Sequence, residues 1–193
     1  MNPSIEFKRV VDQNKKIHPH KFTLWVGIGS IIMMFAGLTS AYIVKREQPG
    51  WIGFSMPMIF WYSTAVMLLS SITMQLALGA FKNRDMGKYR NLIAVTTGLG
   101  VLFVILQVVG YYQLNRAGVR VEGSGSGVFF IIIFGLHALH VLGGVIALLV
   151  LLFRAISSRI RNYNSIPVEV ASTYWHFVDV LWLYLFIFFI LIQ

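Results

Sequence analysis

Five long stretches without a formal charge constrain this chain more than anything else in it. They cover residues 22–44, 53–81, 91–115, 123–153 and 170–193, the last broken only by Asp179. A helix needs about 20 mostly apolar residues to cross a bilayer, and each stretch meets that length. A soluble domain is roughly 45–50% apolar and about 25% charged, whereas this chain of 193 residues is 57% hydrophobic and 12% charged. The expected fold is therefore all-α, a polytopic membrane protein built as a bundle of five transmembrane helices at about residues 22–44, 57–81, 90–114, 127–153 and 168–192. Residues 1–21 form a basic tail, and residues 22–193 form one transmembrane domain.

A net charge of +9 invites a nucleic-acid reading until its placement is considered. Lys8, Arg9, Lys15, Lys16 and Lys21 precede the first span, Lys82, Arg84, Lys88 and Arg90 join spans two and three, and Arg154, Arg159 and Arg161 join spans four and five. The alternate side carries only Lys45, Arg46, Arg116 and Arg120. Lysine and arginine accumulate on the cytoplasmic side of membrane proteins, so the N-terminus is expected inside and the C-terminus outside. The charge is an orientation signal rather than a nucleic-acid surface, and no nucleic-acid partner is expected.

The chain has no cysteine, which removes disulfides, thiolate metal sites and thiol chemistry from consideration. A polar, basic start before a full-length span does not resemble a signal peptide, so the first helix is expected to remain in place. Pro57 and Pro167 suit first helical turns, with Ser165 before the latter as a cap. The Gly-Ser run at 123–127 reads as a flexible outside loop. Helices in lipid pack through small residues four apart. Such pairs occur as Gly37/Ala41 and Ala36/Ser40 in the first span, Thr96/Gly100 in the third and Gly143/Ala147 in the fourth. Gln75 and Gln107 are lone amides suited to interhelical hydrogen bonds, and Trp25, Trp51 and Trp61 suit interface anchoring.

The polar residues of the last two spans are the candidate site. Glu169, Ser172, Thr173, His176 and Asp179 share one helical face, and His137, His140, Gly144 and Ala147 share another. In an antiparallel hairpin, at 1.5 Å rise per residue, His140 lies roughly 20 Å and Asp179 about 15 Å above the inside end, so the two stripes meet near the midplane. An acid in hydrocarbon costs roughly 2.5–3.5 kcal/mol on insertion scales, which leaves three readings. His137, His140, Glu169, His176 and Asp179 satisfy one another as an interhelical polar cluster; or they hold a metal or haem; or they relay protons. No helical metal motif of the H-E-x-x-H kind is present.

The run from Tyr174 to Phe186, YWHFVDVLWLYLF, resembles the final-helix signature W-H-F-V-D-x-x-W of subunit III of haem–copper oxidases, down to Glu169 seven positions before His176. Phe134 to Gly144 resembles that family's G-x-H-x-x-H-V-x-x-G segment. Leu106-Gln107 with Tyr111-Tyr112 resembles its L-Q-x-x-x-Y-Y stretch, and Ser30 with Phe35-Ala36-Gly37 its S-x-x-x-x-F-A-G helix, with Ser63-Thr64 matching in the second span. Two positions depart from the pattern: Ile31 follows Ser30 where many members carry a carboxylate, and Gly110 stands where many carry an acid before the Tyr-Tyr pair.

The resemblance implies the five-helix bacterial form, in the cytoplasmic membrane, acting as an accessory non-redox subunit of a respiratory terminal oxidase. It implies no catalytic centre, haem or copper in this chain, since those belong to subunits I and II. Partners implied are subunits I and II and a small subunit IV, with bound phospholipid; the implied role is to stabilise subunit I and sustain its proton uptake. It also implies that His137, His140, Glu169, His176 and Asp179 are structural interhelical ties. The alternative of another class is a small proton-coupled transporter or proton channel using the His/Asp stripe of the last two helices, although the broken helices and inverted repeats of transporters are not evident.

Overall fold

The computed structural model describes residues 19–47, 56–116, 125–157 and 165–192. All elements among them are α-helices: α1 (Pro19–Arg46), α2 (Ile59–Lys82), α3 (Met86–Arg116), α4 (Gly125–Ile156) and α5 (Ile166–Leu191). Each contains a stretch long and apolar enough to cross a membrane. The helices run a few residues beyond several of the expected spans because the charged residues at the ends, Lys45, Arg46 and Arg116, continue the last helical turn. Residues 1–18 of the basic tail, Trp51 and the first two residues of the Gly-Ser run lie outside the described residues, and Gly125 already belongs to α4.

α2 and α3 make the most extensive contact, α4 packs on both α3 and α5, and α5 packs in addition on α2. α1 lies against α4 and α5 and is the least buried span, whereas α5 is the most buried. The outer surface is apolar, with Met33, Leu69, Ile72, Ile105, Leu139 and Ile146 exposed. In water such a surface would be an aggregation liability; against lipid tails it costs nothing. Trp25 and Trp61 are also exposed, near the ends of their helices.

Close approach inside the bundle comes from glycines facing tryptophan. Trp175 of α5 is fully buried. A Cβ on Gly100 of α3 would stand 2.9 Å from its ring, and one on Gly144 of α4 would also stand 2.9 Å away. Gly110 of α3 does the same for Phe60 of α2, at 2.8 Å. Of the small-residue pairs singled out in the sequence, Thr96 and Gly100 are both buried. Gly37 faces open space, Gly143 meets only the Tyr174 hydroxyl at 3.8 Å, and Ala41 and Ala147 are partly buried.

The α2–α3 turn is tight. Arg84 takes a left-handed φ of 59°, which lets Asp85 N–H reach back to Ala80 O at 3.0 Å and close the end of α2. Asp85 then starts α3, its Oδ1 accepting from Lys88 N–H at 3.2 Å, while Lys88 Nζ lies 3.1 Å from Oδ2. Pro57 precedes α2 by two residues, its carbonyl accepting from Phe60 N–H. Pro167 sits in the first turn of α5 as expected, whereas Ser165 occupies the cap position without a side-chain cap bond.

Two expectations follow. Gly100→Ala or Gly144→Ala forces a methyl into a rigid indole and lowers stability by about 1–3 kcal/mol, whereas Gly37→Ala is neutral or gains roughly 0.5–1 kcal/mol; thermal unfolding in mild detergent separates them. The backbone N–H of Lys88, then its ammonium, hold the Asp85 carboxyl below its ordinary range. A depressed folded value means the cap stabilises fully above about pH 4 and is lost as pH falls through that lower value. Amide exchange at residues 86–90 in wild type and Asp85→Ala should therefore differ at neutral pH and converge in strong acid.

Candidate functional site

α5 supplies the polar interior, and α2 receives most of it. Trp175 Nε1–H donates to Ser70 Oγ at 3.1 Å, and Trp182 Nε1–H donates to Thr64 Oγ1 at 3.0 Å. Both indoles are almost wholly buried. An indole N–H left unpaired in an apolar interior costs about 1–3 kcal/mol, so these two bonds fix the register between α2 and α5. Around Trp182 lie His137 and Phe134 of α4, Phe103 of α3 and Phe60 of α2, with ring centroids 5.2, 5.9, 5.5 and 6.1 Å away.

His176 faces α2 as well. Its Nε2 lies 3.2 Å from Gln75 Oε1 and its Nδ1 lies 2.6 Å from Ser71 Oγ. An amide oxygen only accepts, so Nε2 carries the proton and Nδ1 accepts the Ser71 hydroxyl. Asp179, one turn above on α5, is 3% exposed, and neither carboxyl oxygen has a hydrogen-bond partner among the described residues. Ser71 also lies beside this carboxyl, but hydrogen-bond geometry is met with His176 alone.

Glu169 sits at the opposite end of the stripe, on the face of the bundle that carries Lys21 and Lys82. Lys21 Nζ lies 2.6 Å from Oε2 and Lys82 Nζ 3.9 Å from Oε1, so this carboxylate joins α1, α2 and α5. A recess of about 300 Å³ opens there, lined by Lys21, Trp25, Lys82, Glu169 and Thr173 with apolar neighbours. At the other end of α1, the Thr39 hydroxyl lies 2.8 Å from the Tyr184 hydroxyl, giving α1 a second polar tie to α5.

The histidines of α4 behave differently. His137 is 2% exposed, stacks on Trp182, and has neither ring nitrogen hydrogen-bonded among the described residues. His140 Nδ1 lies 2.6 Å from Leu136 O of its own helix. The α4–α5 link is the Tyr174 hydroxyl donating to His140 O at 3.1 Å. No hydrogen bond or ion pair among the described residues joins any two of His137, His140, Glu169, His176 and Asp179. The stripe of α5 turns to α2 because the α2 helix offers Thr64, Ser70 and Ser71, whereas α4 meets α5 with Gly144 against Trp175 and the rings of His137 and Phe134 against Trp182.

Gln107 Nε2–H donates to Ser63 Oγ at 2.9 Å. Together with Gln75, it makes the interhelical bond expected of a lone amide. Ser70 and Ser71 were not legible as partners individually. A signal was present: Ser63/Ser70 and Thr64/Ser71 repeat at seven residues on the α2 face that also buries Met67 and Met74. No three His, Asp or Glu side chains among the described residues converge as metal ligands would.

Fold and site define a multi-pass membrane protein with a few ionisable side chains inside its helix bundle. The chain belongs to the cytochrome c oxidase subunit III family, whose sequence pattern matches residues 50–192. Bacterial relatives extend the likeness. A probable cytochrome c oxidase subunit 3 of Nocardia farcinica is 34% identical over 188 residues, covering 89% of this chain and 90% of the relative. A cytochrome c oxidase subunit 3 of Corynebacterium diphtheriae is 33% identical over 176 residues, covering 84% and 85%. One from Bacillus subtilis is 28% identical over 168 residues, covering 84% and 81%.

The Trp182–Thr64 bond allows a direct check. Thr64→Val strands the indole N–H and should lower the unfolding temperature, by the equivalent of about 1–3 kcal/mol. Adding Trp182→His would confound the test, but Trp182→Phe in the Thr64→Val background removes the stranded donor. The loss from Thr64→Val should then be smaller in the Phe background than in the wild type, and equal losses would deny the bond its weight.

Proposed function

We propose that this chain is an accessory, non-redox subunit III of a respiratory haem–copper oxidase, which packs beside subunit I, stabilises it and sustains its proton uptake. The observation that carries the reading is the family likeness through residues 50–192, the segment containing both buried tryptophans and the whole polar stripe. The redox groups belong to subunits I and II, and a small subunit IV completes the assembly. The membrane is the bacterial cytoplasmic membrane, as the bacterial relatives support, with the face bearing Lys21, Lys82 and Lys88 inside as the basic excess supports. Bound phospholipid fills grooves against the exposed apolar faces of the helices.

The role follows from what the helices offer a neighbour. Their outer faces are apolar and continuous, so association with another membrane subunit relies on packing and a few hydrogen bonds. A bundle locked internally by two indole anchors presents such a face with little reorganisation on assembly, which favours binding.

Gentle detergent extraction of the tagged chain from its own membrane tests the assignment. Recovery together with haem-bearing and copper-bearing subunits, identified by mass spectrometry and visible absorption, is expected. A colourless chain recovered alone from intact membranes would overturn it in favour of a transporter or channel, and a Soret band on the isolated chain would overturn the non-redox assignment.

A further inference from the structure

The seam between α2 and α5 carries a polar track that the oxidase reading does not use. The two helices are antiparallel, and their contacts keep one register: Lys82 meets Glu169, Gln75 and Ser71 meet His176, and Thr64 meets Trp182. Asp179 falls between the last two contacts, beside Ser71. From the basic face upward, the seam offers the recess at Lys21, Lys82 and Glu169, then Thr173 on its wall, then His176 with Gln75, then Ser71, and ends at Asp179. Ten residues separate Glu169 from Asp179, or about 15 Å along the helix.

The two ends differ. Thr173, which lines the recess, precedes His176 by one helical turn, so the imidazole stands that far from the opening at the basic face. Above Asp179 the interior is closed by aromatic rings. Trp182 stacks with Phe186 at 6.0 Å and meets Phe60 and Phe134, and Phe134 stacks on Phe130 at 5.3 Å. All five rings are buried. From Asp179 the neighbouring polar side chains, Ser71 and then His176 with Gln75, lead back toward the basic face, whereas the polar groups beyond it, Thr64 and Ser63, are engaged with Trp182, Phe60 and Gln107.

We propose that the α2–α5 seam is a one-sided proton path, in which Asp179 exchanges its proton with the basic face of the bundle through Ser71 and His176. In the release direction, the acid proton of Asp179 passes to Ser71 Oγ as the Ser71 hydroxyl proton moves to His176 Nδ1. The imidazole then gives its Nε2 proton to water in the recess. Each transfer breaks one O–H or N–H bond and makes another; no electron moves, and the sum is one proton lost by Asp179. Uptake is the reverse. The resting arrangement, with Nε2–H on Gln75 and Nδ1 accepting from Ser71, is the tautomer from which release begins.

Few other groups act on this pair. α4 contributes His137 and His140. α2 has no ionisable residue between Tyr62 and Lys82, α1 none between Lys21 and Tyr42, and α3 none between Arg90 and Tyr111. With no lysine or arginine among the described residues facing it at this depth, an ionised Asp179 would stand uncompensated in a low-dielectric interior. The side chain is therefore a store for a proton rather than a fixed charge. The path goes beyond the accessory reading above and holds whichever complex the chain joins.

Infrared difference spectroscopy of the intact complex, or of the full-length chain, in vesicles of determined orientation tests the path. The protonated-carboxyl band lost in Asp179→Asn identifies the group. After a pH step on one side, that band is expected to respond only to the solution facing Lys21 and Lys82. Ser71→Ala should slow the response by on the order of a hundredfold with unchanged end points, and Ser71→Thr, which keeps the hydroxyl, should restore it. A response to the opposite solution, a band that never titrates, or equal rates in wild type and Ser71→Ala would each overturn the proposal.

Discussion

The indole of Trp175 is the contact on which the rest of the bundle depends. It leaves α5, passes between Gly100 of α3 and Gly144 of α4, and donates its N–H to Ser70 of α2. Four helices meet at one rigid plane. In lipid no hydrophobic gain rewards that meeting, because hydrocarbon tails are as apolar as leucine. What holds it is dispersion across glycine notches and one hydrogen bond in a medium where an unmade one is costly. Ser70 Oγ lies 3.4 Å from Thr96 O, and Thr96 Oγ1 donates to Thr73 Oγ1 at 2.8 Å. The same knot thus ties α2 to α3, while α1 is held by its own ties to α5, Lys21 to Glu169 and Thr39 to Tyr184.

A second indole, Trp182, divides the interior into two kinds of medium. On its far side lie Phe60, Phe130, Phe134 and Phe186 in edge-to-face and stacked contacts, geometries that aromatic quadrupoles favour. On its near side lie Asp179, His176, Ser71 and Gln75. The boundary also explains His137. Its ring fills aromatic volume against Trp182 and Phe35, while neither ring nitrogen has a hydrogen-bond partner among the described residues. A histidine there behaves as a flat aromatic wedge.

Five uncharged runs were enough to read five helices, because bilayer thickness converts run length directly into spans. The α5 stripe was legible too, since Glu169, Thr173, His176 and Asp179 share a face in any helix. Which neighbour that stripe faces was not. Sequence adjacency favours the α4–α5 hairpin, but the hydrogen-bonding hydroxyls are on α2, and serine and threonine are too common in membrane helices to stand out singly. Gly100 and Gly144 were visible only as small residues, with the same appearance as Gly37, which packs against nothing described. The discriminating fact is the tryptophan that fills them, 75 and 31 residues further along the chain. Spacing within one helix holds no record of it.

The α2–α5 contact therefore serves two ends with one register. Sliding either helix by a turn would strand the two indole donors, so their bonds hold the alignment closely. That alignment also sets Ser71 against His176 and Lys82 near Glu169, contacts that contribute less to stability: one lies at a half-exposed imidazole and the other at a partly solvated ion pair. Packing supplies the precision, and the polar stripe inherits it. A hydroxyl 2.6 Å from an imidazole nitrogen, beneath an acid without a hydrogen-bond partner among the described residues, is an arrangement that loose helices would not keep. Its persistence in the middle of a hydrophobic span follows from the indoles on either side of it.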